Sequence, residues 1–167
     1  MLGELGGYET GSAHRSGVSE FVDALPQALV CEAAVWSVHS YVSFGGHQLG
    51  RNVDPAGALE QALRRRGCQK QAPIWITETG AGAPDPGHPR DGTAAQEDAG
   101  CLALAAQLGT WSRDPSVAAV FQYTFREDPA FAVGLISADL THLYPAYSMW
   151  RALAGGAEPV ALSAACE

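Results

Sequence analysis

Three apolar runs decide most of what this chain can become. They are Ala33–Tyr41 (AAVWSVHSY), Pro73–Thr79 (PIWITET) and Val117–Phe125 (VAAVFQYTF). Each is rich in β-branched and aromatic residues and almost free of charge, which suits strands covered on both faces, as in a parallel sheet. Met1–Leu5 (MLGEL) is a shorter candidate of the same kind.

Helix-like stretches separate these runs. Val18–Ala28 carries Val18, Phe21, Val22 and Leu25 at helical spacing, with Pro26 placed to kink or end it. Asp54-Pro55 opens a second helix, with Asp as N-cap and Pro at the first helical position, running to about Arg66 and stopping at Gly67. Ala94–Arg113 forms a third, with Leu102, Leu104, Ala105 and Leu108 as its inner face. Pro145–Ala154 forms the fourth, and the segment after Gly155-Gly156 reads as a frayed tail.

Strand and helix therefore alternate, the signature of βαβ units with right-handed crossovers. The three main strands begin near residues 35, 74 and 120, so the units are 39 and 46 residues long. The extra length follows the strands, in Gly45–Asn52, Gly80–Thr93 and Arg126–Leu143. Decorated loops at strand carboxyl ends are where α/β barrels keep their active sites. A complete (β/α)8 barrel takes roughly 250 residues, and this chain has 167. The expected fold is α/β: a partial TIM barrel of about four βα units over residues 1–154, followed by a tail at 155–167. A small open α/β sheet is the competing fold.

The apolar fraction of 47% against 17% charged excludes wholesale disorder. Acids outnumber bases 18 to 10, and no basic block exists beyond Arg64-Arg65-Arg66, so no nucleic-acid partner is expected. No apolar run approaches the ~18–20 residues that span a bilayer, so no membrane partner is expected either. The chain opens on Met1-Leu2-Gly3 without the charged and apolar regions of a signal peptide, and is expected to be a fragment of something larger. Four cysteines, Cys31, Cys68, Cys101 and Cys166, allow three complete pairings, and their spacing does not choose among them. Cys68 and Cys101 flank one βα unit and are the expected bridge if the protein is secreted.

Glu78 is the sharpest chemical signal. It stands where the apolar strand Ile74–Thr79 runs out, and Gly80 and Gly82 then let the chain turn away. A glutamate in such a place is costly unless it is partnered. His39-Ser40-Tyr41 closes the preceding strand, with His39 and Tyr41 on one face by alternation. Phe121–Arg126 (FQYTFR) closes the last, so polar and aromatic side chains gather where strands end. His39, His47 and His88 fall in separate segments without a short ligand pair, and no metal or other cofactor is expected. No G-x-S-x-G elbow and no G-x-G-x-x-G or P-loop motif is present.

Ile74–Gly80 (IWITETG) resembles the seventh strand of the retaining (β/α)8 glycoside hydrolases of the cellulase-like clan, clan A. The resemblance makes Glu78 the nucleophile. His39-Ser40-Tyr41 is similar to the His-x-Tyr that ends the sixth strand in that clan. Phe121–Phe125 is the counterpart of the eighth strand, where the usual aromatic is Trp, and Leu2–Leu5 that of the fifth. The resemblance covers most of residues 1–154 and implies strands five to eight of the barrel.

It further implies hydrolysis of O-glycosyl bonds in an oligosaccharide or polysaccharide. The substrate would be held by His39, Tyr41, Tyr123, Phe125, Arg126 and Trp36. The clan carries its acid/base as Glu after Asn at the end of strand four. No Asn-Glu occurs here, the one asparagine being Asn52. Glu4 is the local substitute to consider. The missing half suggests that the chain alone is inactive. Its partner would be an N-terminal half barrel, or another copy joined through open sheet edges. The four cysteines lean toward an oxidising compartment, and an extracellular location is expected. The alternative is a non-catalytic carbohydrate-binding or degenerate barrel module.

Overall fold

The computed structural model describes residues 1–6, 16–43, 54–82, 90 and 92–166. In chain order the elements are strand β1 (Leu2–Leu5), helices α1 (Val18–Ala24) and α2 (Gln27–Glu32), strands β2 (Trp36–His39) and β3 (Val42–Ser43), and helix α3 (Pro55–Arg65). Then come strands β4 (Ile74–Thr79) and β5 (Ala81–Gly82), helix α4 (Ala94–Trp111), strand β6 (Val117–Gln122), helix α5 (Pro145–Ala154) and a 3-10 helix, Pro159–Ala165.

The expected partial barrel of four βα units does not form. The sheet is open, in the order β1-β2-β4-β6, and its registered parallel pairing covers three strands: Leu2 and Leu5 lie beside Trp36 and Val38, and Trp36, Ser37 and Val38 beside Ile74, Trp75 and Ile76. Among the described residues five α-helices accompany it. The units are also irregular. Pro26, which has no N–H to give, splits the first crossover into α1 and α2. Beyond the main strands, β3 and β5 form a separate parallel pair, Val42 on Ala81 and Ser43 on Gly82. After β6 the chain enters an irregular segment with isolated bridges at Arg126–Ile136, Asp128–Phe131 and Ile136–Leu143 before reaching α5. Apolar runs report burial, and burial alone does not dictate that a sheet curls toward closure.

The chain divides into two compact units. One takes Met1–Ser40, Gly50–Thr79 and Pro115–Phe121; the other takes Tyr41–Leu49, Gly80–Asp114 and Gln122–Glu167. In the first unit Val18, Val22, Leu59, Ala62, Trp36, Val38, Ile74 and Ile76 are buried. Asp54 caps α3 by accepting from the Gly57 N–H, and Gly67 ends that helix in the left-handed region at φ 63°. Arg66 serves the neighbouring helix: its guanidinium donates to the carbonyls of Val22, Asp23 and Leu25 at 2.7–3.1 Å, satisfying the carboxyl end of α1.

In the second unit α4 buries Cys101, Leu104, Ala105, Leu108 and Trp111, whereas Leu102 points outward at 42% exposure. The last segment is no frayed tail. Its 3-10 helix seals Leu162 completely, and Cys166 is bonded to Cys101. The expected Cys68–Cys101 bridge is therefore corrected to Cys31–Cys68 and Cys101–Cys166, with Cα–Cα distances of 5.3 and 5.7 Å. Closeness to one βα unit in sequence misled the pairing: Cys68 and Cys101 belong to different units, and each finds its partner inside its own. Among the described residues no helix is long and apolar enough to cross a membrane.

Candidate active site at the carboxyl ends of the parallel strands

In the first unit, β2 and β4 run parallel and bring His39 and Glu78 together. Val38 pairs with Ile76, so regular pairing would place His39 beside Thr77. A bulge between Val38 and His39 shifts the register by one, and His39 lies directly opposite Glu78. Bulges at strand ends re-aim side chains in this way. The imidazole Nδ1 is 3.2 Å from Glu78 Oε2. Side-chain exposures of 19% and 27% leave the pair open to a ligand without putting it fully in water. The strand ends are tied beneath it, since the Ser40 N–H donates to the Glu78 carbonyl at 2.9 Å. Three hydroxyls flank the pair in sequence, those of Ser40, Thr77 and Thr79; they are buried with no hydrogen-bond partner among the described residues.

The other expected residues divide between the two units. Trp36, in the first, is fully buried; its ring packs in the core and is not a face on which a sugar can lie. Tyr41, Tyr123, Phe125 and Arg126 belong to the second. There Tyr41 and Tyr123 both meet Phe131 edge-on, with ring centroids 4.9 and 6.1 Å apart. Phe125 is 61% exposed and sits edge-on to Tyr147 at 6.3 Å. The Arg126 Nε donates to the Ala138 carbonyl at 2.7 Å, which fastens it to the turn beyond Ser137. His47, His88 and most of the two long loops lie outside the described residues. Among the described residues no cluster of His, Cys, Asp or Glu is placed to hold a metal ion.

Sequence reasoning missed a buried ionic cluster in the second unit. Arg90 Nε meets Glu127 Oε2 at 2.6 Å, with side-chain exposures of 5% and 8%. The Arg90 Nη2 donates to the carbonyls of Ala81, Ala132 and Gly134 at 3.2–3.3 Å, and its guanidinium lies 3.7 Å from the centroid of the Tyr144 ring. The Tyr144 hydroxyl completes the set by donating to Glu127 Oε1 at 3.2 Å. A buried charge pair so fully hydrogen-bonded is a fastening, because removing one member strands the other. The sequence offers no spacing signal for it; the partners lie 37 and 17 residues apart.

Chemically, Glu78 is a carboxylate at the carboxyl end of a parallel strand, the edge at which open α/β sheets bind ligands. It can act as a nucleophile or a base, with His39 fixing its orientation. No known protein family, curated protein or solved structure matches this chain.

Proposed function

We propose that Glu78 is the nucleophile in a retaining hydrolysis of O-glycosyl bonds in an oligosaccharide or polysaccharide, with the acid/base supplied from outside this chain. The observation that carries this reading is the Glu78–His39 pair, held at 3.2 Å across two adjacent parallel strand ends and open to solvent. In the proposed step a Glu78 oxygen attacks the anomeric carbon as the bond from that carbon to the leaving oxygen breaks. The bonding electron pair goes to the leaving oxygen, which takes a proton from an acid outside this chain; water, giving a proton back to that group, later attacks the anomeric carbon and frees the Glu78 carboxylate. His39 holds the carboxylate where this attack is in line. An extracellular location goes with this reading and draws support from the two disulfides. A second reading, carbohydrate binding without catalysis, is favoured by the absence of any Asn-Glu from the sequence.

The test uses a leaving group that needs no acid. Dinitrophenyl 2-deoxy-2-fluoro glycosides of glucose, xylose and mannose release a stable phenolate, and the fluorine slows hydrolysis of the ester so that it accumulates. Peptide mass mapping is expected to find one glycosyl unit on Glu78 from at least one probe. Glu78→Gln should abolish labelling, and His39→Ala should slow it by about 10–100-fold. No label from any probe, or label on a different carboxylate, overturns the assignment.

A further inference from the structure

We infer that the Cys31–Cys68 bridge is a redox latch: a dithiol opens it in the folded protein and so releases helix α2, while Cys101–Cys166 stays closed. The two bridges differ first in exposure. Cys101 and Cys166 are 1% and 2% exposed, whereas Cys31 and Cys68 are both half-buried. Thiol–disulfide exchange requires the attacking thiolate to reach a bridge sulfur. The fold offers Cys31–Cys68 to such an attack and withholds Cys101–Cys166.

The second difference is a polarised sulfur. Gln27 Nε2 donates to Cys31 Sγ at 3.3 Å. The direction of that amide is fixed, because Gln27 Oε1 accepts from Arg66 Nε at 2.9 Å and a guanidinium can only donate. Arg66 is held in turn by the carbonyls of Val22, Asp23 and Leu25. An N–H aimed at Cys31 Sγ stabilises negative charge there, and exchange is faster when the departing sulfur carries its charge more easily.

In the reaction a thiolate of the dithiol attacks Cys68 Sγ. The S–S bond breaks, and its electron pair leaves on Cys31 Sγ, which takes up a proton. The second thiol of the dithiol, losing its proton, then attacks the first dithiol sulfur in the mixed disulfide, and Cys68 departs and is protonated. The bridge gains two electrons and two protons, and the dithiol is oxidised to its own disulfide.

What the bridge holds is α2. This helix has six residues, of which Val30 alone is buried, and no side chain caps its N-terminus. A helix so short does not persist without tertiary support. Among the described residues its other polar ties to the rest of the unit are those of Gln27 with Arg66, which are exposed and contribute little. Once the bridge opens, residues 26–35 are free to unfold locally, and an unfolded surface segment is where proteases cut. Strand β2 stays in place, because Trp36 and Val38 are fully buried. The latch therefore acts apart from Glu78 and its chemistry.

The experiment treats the native chain with reduced dithiothreitol, quenches with iodoacetamide at intervals and maps the alkylated peptides by mass. Cys31 and Cys68 are expected to be alkylated at least about tenfold faster than Cys101 and Cys166, a gap that should close in concentrated guanidinium. Gln27→Met keeps the side chain's length and loses its N–H, and should slow opening of the first bridge about three- to tenfold. Hydrogen exchange is then followed on the wild type held in dithiothreitol and on the double variant Cys31→Ala with Cys68→Ala. In both, the amides of α2 are expected to exchange about 100-fold faster or more than in the oxidised protein, with those of β2 and β4 unchanged. Four outcomes overturn the latch: equal opening of the two bridges, opening of Cys101–Cys166 first, opening as fast in Gln27→Met as in the wild type, or α2 amides that keep their protection once the bridge is gone.

Discussion

Tyr144 shows how far one side chain's chemistry is set by its surroundings. Burial pushes its phenol up to about 12; the nearby Arg90 charge works against this, and Glu127 adds to it. The raised value means that the folded state keeps the phenol proton more tightly than the unfolded chain, whose tyrosine has the ordinary value of 10.0. This contribution to stability is therefore complete below about pH 10 and drains away as the pH rises to about 12. Difference absorbance at the phenolate band is expected to show one tyrosine ionising only near pH 12, above the ordinary value of 10.0. Tyr144→Phe should remove that late step. None of this is visible in the sequence, where Arg90, Glu127 and Tyr144 are three unremarked residues in separate segments. Glu78 and His39 were legible one at a time, because a polar residue closing an apolar run stands out. Their direct pairing was not, since it depends on a bulge that shifts the register by one residue.

At the scale of elements, the best-read features were those enforced locally. Asp54-Pro55 starts α3 and Gly67 stops it, as a capping side chain, a preset φ and a left-handed residue dictate. β4 fills nearly all of its apolar run. The last run was read too long: β6 ends at Gln122, and Tyr123–Phe125 leave the strand. The partial barrel went wrong because closure depends on strand tilt and stagger, and neither is written in hydrophobicity. The small pair β3–β5 depends instead on close approach. Gly82 in β5 admits no side chain, because a Cβ there would fall within van der Waals contact of the Ala132 carbonyl and the Val133 side chain. Gly82→Ala is therefore expected to cost about 2–3 kcal/mol in urea unfolding. The same change at Gly67, where nothing lies near, should act only through its positive φ.

For the whole molecule, the covalent frame is two bridges, each within one unit and spanning 37 and 65 residues. In the chain-entropy account each restrains the unfolded state by about 4 kcal/mol. Non-reducing digestion is expected to yield linked peptides Cys31–Cys68 and Cys101–Cys166 and no free thiol; a Cys68–Cys101 peptide would contradict the structure. The double replacement Cys101→Ala with Cys166→Ala should lower stability by roughly 2–4 kcal/mol in calorimetry. It should also loosen the 3-10 helix, whose Leu162 is sealed beside that bridge in sequence.

The two units are threaded through one another along the chain: the first needs residues as late as Phe121, and the second draws on residues as early as Tyr41. A ribosome making this protein cannot complete one unit before beginning the other. By the time Phe121 emerges, all of Gly80–Asp114 is already outside and waiting for partners that are not yet made. The usual economy of folding one domain at a time during synthesis is closed to it. The same threading governs proteolysis: a single cut anywhere between Tyr41 and Phe121 leaves neither unit whole.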